Sequence, residues 1–295
     1  MRMHRRCLEG LEKTTTPVTS ALGFVSLRPV MLAGLLLCGH SAHARFVSAA
    51  APGFARTGHT ATLLQSGKVL VVGGSGVSGS LREAEIYDPA ADAWSPAGNL
   101  TTPRYGHSAT LLASGKVLVV GGYGNGGALT SVEIYDPASN AWSSWGQVPW
   151  MSSARMYHTA TLLNSGELLI AGGWGFDSVT GTNGALPYSS TYVPSTNAWT
   201  FAGTLRERRT AHDAARMDSG EVLVVGGANG SAIASSELYD PVGRSWRLTS
   251  PMAVGRSATR IVKLDSGEVL ATGGLGTAAA LAACEVFNPV TASWR

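Results

Sequence analysis

The sequence predicts an all-β protein assembled from five copies of one four-stranded unit. Three observations point there. A block of landmark residues recurs at a period near fifty: an arginine (Arg56, Arg104, Arg155, Arg209, Arg256), a glycine pair (Gly73-Gly74, Gly121-Gly122, Gly172-Gly173, Gly226-Gly227, Gly273-Gly274), a ring (Tyr87, Tyr135, Tyr192, Tyr239, Phe287) and a tryptophan (Trp94, Trp142, Trp199, Trp246, Trp294). Spacing inside the block is fixed, with 17 residues from arginine to glycine pair and seven from ring to tryptophan in every copy. Glycine is abundant, at 37 of 295 residues, as short strands joined by tight turns require. Self-similarity of this length and regularity marks a repeat architecture.

The first copy shows why each segment takes its form. His59–Leu64 reads as a short strand of small and β-branched residues, suited to a crowded inner position. Ser66-Gly67 turns the chain, because glycine accepts the positive φ of a two-residue hairpin, and Ser-Gly recurs at 114–115, 165–166, 219–220 and 266–267. Lys68–Val72 is almost continuously apolar and reads as a strand buried on both faces. Gly73-Gly74 ends it where a side chain would obstruct a turn or a neighbouring backbone. Glu85–Tyr87 is the third strand, stopped by Asp88-Pro89, and Trp94 lies on the fourth. The ten repeated rings follow the fold's own spacing, so they read as filling between units and not as ligand stackers.

The unit Arg-x-x-His, Val-Val-Gly-Gly, Glu-Ile-Tyr-Asp-Pro, Trp resembles the kelch repeat, and the resemblance runs from Arg56 to Trp294. It implies a β-propeller with one blade per repeat, at roughly 56–103, 104–154, 155–208, 209–255 and 256–295 of a domain covering 45–295. It leaves function open, since kelch propellers serve as enzymes, receptors and adaptors. The fifth repeat already holds its own Trp294. Residues 45–55 read as the tail of a preceding repeat, with Phe46 ten residues before Arg56 as Trp94 is ten before Arg104. Five blades closing by face packing is the expectation, and a truncated larger array is the alternative.

Residues 1–44 stand apart. Arg28 precedes the apolar run Val30–Gly39, and Ala42-His43-Ala44 follows it, which is the pattern of a secretory signal peptide cut after Ala44. The run is too short for a stable membrane span. Glu9 and Glu12 in the lead-in suggest a later translation start. Cys38 raises a lipoprotein reading, against which Leu37 stands where a small residue is needed. The expected location is secreted or cell surface. This segment carries five of the 22 basic and two of the 19 acidic side chains, which leaves 17 of each and a formally neutral repeat region. Such a domain has no electrostatic footprint for nucleic acid. Of three cysteines only Cys284 lies in the repeats, and it reads as a small buried residue opening a strand.

In a four-stranded meander, loops 1–2 and 3–4 emerge on one face and loops 2–3 and 4–1 on the other. Only the second set varies in length. The glycine pair to ring interval is 19 residues in the third repeat against 12 or 13 elsewhere, and Trp142 to Arg155 spans 13 against ten. A scaffold that varies one face presents that face. The two long loops carry Trp145, Trp150, Trp174, Phe176, Asp177 and Tyr188, with Tyr123 nearby on the second blade. Rings beside Asp and Asn suit a sugar or peptide, and mutual burial of the rings is the alternative.

The repeated arginines are expected to pair with Glu85, Glu133, Glu237 and Glu285. Ser190 replaces the glutamate in the third repeat, so Arg155 joins the candidate set, where it would favour an anionic or carboxylate ligand. His59, His107, His158 and His212 recur in register and read as scaffold and not as metal ligands. The expected protein is a monomeric, non-catalytic binding module without cofactor, holding a protein or glycan. The alternative is a galactose-oxidase-like or other metal-dependent secreted enzyme. That resemblance would imply copper held by His and Tyr, and a Tyr cross-linked to a Cys, for which only Cys284 is at hand.

Overall fold

The computed structural model describes residues 48–143 and 146–295. The expected leader, residues 1–44, and Trp145 lie outside them. Among the described residues there is no helix, and none therefore long and apolar enough to cross a membrane. The strands form five antiparallel meanders. The first is built from Thr60–Leu63, Val69–Val72, Glu83–Asp88 and Ala93–Asn99, and the fifth from Arg260–Lys263, Val269–Thr272, Cys284–Asn288 and Ser293–Trp294. Register repeats with the sequence: Thr60 opposes Val72, Ser108 opposes Val120, Thr159 opposes Ala171, Asp213 opposes Val225 and Arg260 opposes Thr272. The first turn differs from expectation by one residue. Leu64 N–H donates to Lys68 O at 2.8 Å and Gly67 N–H to Leu64 O at 3.0 Å, so the loop is Gln65-Ser66-Gly67. Gly67, at φ 81°, is the left-handed residue that closes a three-residue hairpin.

Successive blades meet through apolar faces. Leu70 and Val72 of blade one pack against Val117, Val119 and Tyr135 of blade two, and three similar clusters join blades two to three, three to four and four to five. In every blade the repeated ring and tryptophan lie 5.0–5.3 Å apart between centroids. Each indole N–H reaches back one blade: Trp142 to Ala97 O, Trp199 to Pro149 O, Trp246 to Ser189 Oγ and Trp294 to Ser236 Oγ, all at 2.8–2.9 Å. The tryptophan thus fills the gap and fixes its neighbour with a directed bond.

The glycine pairs mark a close crossing. A Cβ on Gly73, Gly121, Gly172 or Gly226 would stand 2.4–2.6 Å from the carbonyl oxygen of the next blade's arginine. The second glycine donates its N–H to that same oxygen at 2.8–2.9 Å. Glycine is required here by contact as well as by its positive φ.

The two ends are unlike the middle. Trp94 donates to Ala50 O and Gly53 N–H donates to Glu85, each at 2.7 Å, so residues 48–55 stand in for the exit of a preceding blade. Among the described residues, no following blade covers the outer face of blade five. Thr272 and Cys284 are exposed where Val72 and Ala84, or Val120 and Val132, are buried. Gly273 has no arginine carbonyl against it. Among the described residues, blades five and one share no core cluster, and the expected closure by face packing is not shown. The same face corrects the reading of Cys284. It opens its strand as expected, but it is exposed, because among the described residues no following blade covers that side of the sheet.

Candidate functional site

The repeated charged residues are committed to the scaffold. Each arginine turns inward from the start of its blade and donates through Nη1 to the first carbonyl of the glycine pair, at 2.6–3.1 Å. In four blades Nη2 meets a glutamate: Arg56–Glu85, Arg104–Glu133 and Arg256–Glu285 at 2.6 Å, and Arg209–Glu237 at 2.8 Å. The expected pairs form.

The histidines join blade to blade. His107 Nε2 lies 2.9 Å from Thr60 Oγ1, His158 Nε2 2.9 Å from Ser108 Oγ and His212 Nε2 3.0 Å from Thr159 Oγ1. Burial, with a neighbouring arginine, drives His107 and His158 down to about 3 and His212 well below its usual value, so the rings are neutral near pH 7. They serve as inter-blade links. Among the described residues no cluster of three His, Cys, Asp or Glu is placed to hold a metal.

The long 2–3 insertion of blade three folds into strand and not into loop. Trp174–Asp177 pairs with the start of Thr182–Val193, and that strand continues along Ala198–Arg209. The result is a ribbon standing above the variable face. Asp177 locks it. Its carboxylate pairs with Arg208 and accepts from Tyr188 O–H and Val179 N–H at 2.9 Å, and Arg208 holds it well below the usual carboxylate range. Asp177 is 1% exposed, so it and Tyr188 are turned toward the ribbon. Arg155 is also 1% exposed, beneath the face.

The rings are what the face displays. Phe176 is 52% and Trp150 47% exposed, while Trp174 and Tyr123 are half-buried. Tyr123 and Trp174 occupy one register position, bridging Tyr105 and Met156 at the inner end of their blades. The blade-two hairpin carrying Tyr123 runs beside Trp174–Asp177. Two further rings belong here that loop length did not reveal. Tyr105 lies 5.5 Å from Tyr123 and 6.5 Å from Tyr157 between centroids. Tyr157 is 43% exposed and held at φ 52° where blades one and two have Gly58 and Gly106. Its N–H donates to Gly106 O, and its carbonyl accepts from Ala211 N–H, within a chain of bonds that links the inner ends of the five blades. The signal for both was inside the repeat: Arg-Tyr-Gly-His and Arg-Met-Tyr-His put a ring where the other copies have Thr, Ser, Gly or Ala.

A cleft of about 380 Å³ also opens between blades two and three, lined by Lys116, Asp136, Trp142, Tyr192 and Asn197 among others. These belong to the ring and turn set of the constant face.

The kelch-repeats domain described for KLHDC2, KLHL20 and DRC7 matches residues 58–274. This chain belongs to the kelch-repeat family. Compared directly with curated protein sequences, it finds no match. Among solved structures this kelch array is similar to a fungal alcohol oxidase of the AA5 family in complex with copper, at a TM-score of 0.66 and 18% identity. The alignment covers 81% of this chain and 52% of the oxidase, so the chain spans about half the length of that structure. At that identity the likeness is one of fold.

Proposed function

We propose that this kelch-repeat protein is exported and acts as a non-catalytic binding module. It holds a glycan or protein against the variable face at blades two and three. The ring surface of Tyr105, Tyr123, Tyr157, Trp174 and Phe176 carries the reading, because these rings are additional to the ten that pack the blades. An apolar surface of tilted rings edged by hydroxyls on a neutral domain suits a weakly charged ligand. Export rests on Arg28, the apolar run and Ala42-His43-Ala44. The oxidase alternative would need Cys284 beside a tyrosine, whereas its thiol lies 3.3 Å from Thr272 Oγ1 on the exposed side of blade five.

Screening the full chain against a glycan array and a panel of extracellular proteins tests the proposal. Saturable binding that weakens at least about fivefold in Tyr157→Ala/Phe176→Ala supports it, two stacked rings at about 0.5–1.5 kcal/mol each removing about 1–3 kcal/mol. Binding that is unchanged in the variant, or absent from both panels, refutes it.

A further inference from the structure

One buried cation in the ring of arginines lacks the partner its counterparts have. In blades one, two, four and five a glutamate carboxylate meets arginine Nη2 at 2.6–2.8 Å. That same carboxylate accepts a backbone N–H from the residue three before the arginine: Gly53, Thr101, Arg206 and Ala253, at 2.6–2.7 Å. Each carboxylate thus neutralises a buried charge and caps a loop. In blade three the position is Ser190, which opposes Ile170 as Glu85, Glu133, Glu237 and Glu285 oppose Val71, Val119, Val224 and Ala271. Serine stops short of where the carboxylate sits.

The rest of the arrangement is kept. Arg155 is 1% exposed and donates through Nη1 to Gly172 O at 2.7 Å and Tyr188 O at 2.9 Å, and through Nε to Ser153 O at 3.4 Å. Among the described residues no acceptor lies at its Nη2, and none lies at the N–H of Ser152, which holds the place of Gly53, Thr101, Arg206 and Ala253. Burial unopposed by any carboxylate pushes Arg155 down to about 10, so it stays charged at neutral pH. A buried guanidinium without a counter-charge is costly. Beside Arg155 Nη2, Ser152 is exposed and Ser190 half-buried.

We propose that blade three binds a carboxylate at this position, taking from a ligand the group that the other blades build in. It would bridge Arg155 Nη2 and the Ser152 N–H, as Glu133 bridges Arg104 and Thr101. Two separate donors, Arg155 Nη2 and the Ser152 N–H, match the two oxygens of a carboxylate as Arg104 Nη2 and the Thr101 N–H match those of Glu133, which favours this anion over a halide. The carboxylate can come from a small free acid or from the acidic side chain of a docked polypeptide. The site does not depend on the aromatic face being the ligand surface.

Thermal unfolding of the full chain tests this in acetate, in a short glutamate-containing peptide, and in chloride at matched ionic strength. A saturable rise in Tm with acetate assigns the free acid, and a rise with the peptide alone assigns the side chain. Ser190→Glu should raise Tm by several degrees in chloride and abolish the response to either carboxylate. No rise beyond chloride, or a Ser190→Glu chain that responds like the wild type, overturns the proposal.

Discussion

At the residue scale, the strongest determinants are polar groups buried in register. His107, His158 and His212 are held neutral well below the ordinary imidazole range. For His107 and His158 this contributes stability that is present above the unfolded value near 6.5 and lost as pH falls toward about 3, and His212 acts in the same direction. Each should therefore cost at most about 1.4 kcal/mol per pH unit across that window, since the unfolded chain takes up the proton and the folded chain does not. Urea unfolding at pH 7, 6 and 5 should show the loss, and His107→Gln should make the slope shallower by one proton. The arginine–glutamate pairs behave differently. Arg209 and Glu237 are fully buried together, so Glu237→Gln leaves an uncompensated cation and should cost about 3–5 kcal/mol. Removing Asp218 from its exposed pair with Lys263 should cost less than about 1 kcal/mol, and denaturant midpoints of the two variants make the comparison.

At the element scale, the blade was legible because each of its features has a local cause. Fixed intervals from arginine to glycine pair and from ring to tryptophan are strand–turn–strand distances, and they produced the observed register. The turn missed by one residue, since Ser-Gly shows where the left-handed residue lies but not how many residues precede it. The insertion of blade three was legible as a length and not as a shape. Its strand character depends on pairing between Trp174–Asp177 and Thr182–Val193, and on Arg208, which lies 31 residues from Asp177 and carries no motif. Asp177→Asn should loosen that lock. Hydrogen exchange should then speed up at 174–188 and 204–209, while Leu168–Ala171 beneath stays protected. Tyr105 and Tyr157 were hidden for another reason: they sit inside the repeated motif, where position suggests scaffold even when the side chain departs from it.

At the scale of the whole molecule, four core clusters join the five blades among the described residues, and the exposed side of blade five has a chemical handle. In a chain with Cys7 and Cys38 replaced by Ser, Cys284 should react with a thiol reagent to one equivalent under native conditions. A thiol that becomes reactive only on unfolding would mean that blade one covers it. The variable face gathers its rings on blades two and three, and the constant face holds the Ser-Gly turns and the proline turns (Pro89, Pro137, Pro194, Pro241, Pro289) that the repeats share. The proposed ligand surface is this group of rings. Hydrogen exchange of the full chain, with and without the ligand returned by the screen, tests it most directly. Protection is expected at 105–106, 123–128, 156–158 and 174–184, with the turns at 65–67, 113–115 and 137–140 unchanged; protection confined to those turns, or to blades four and five, would place the ligand elsewhere.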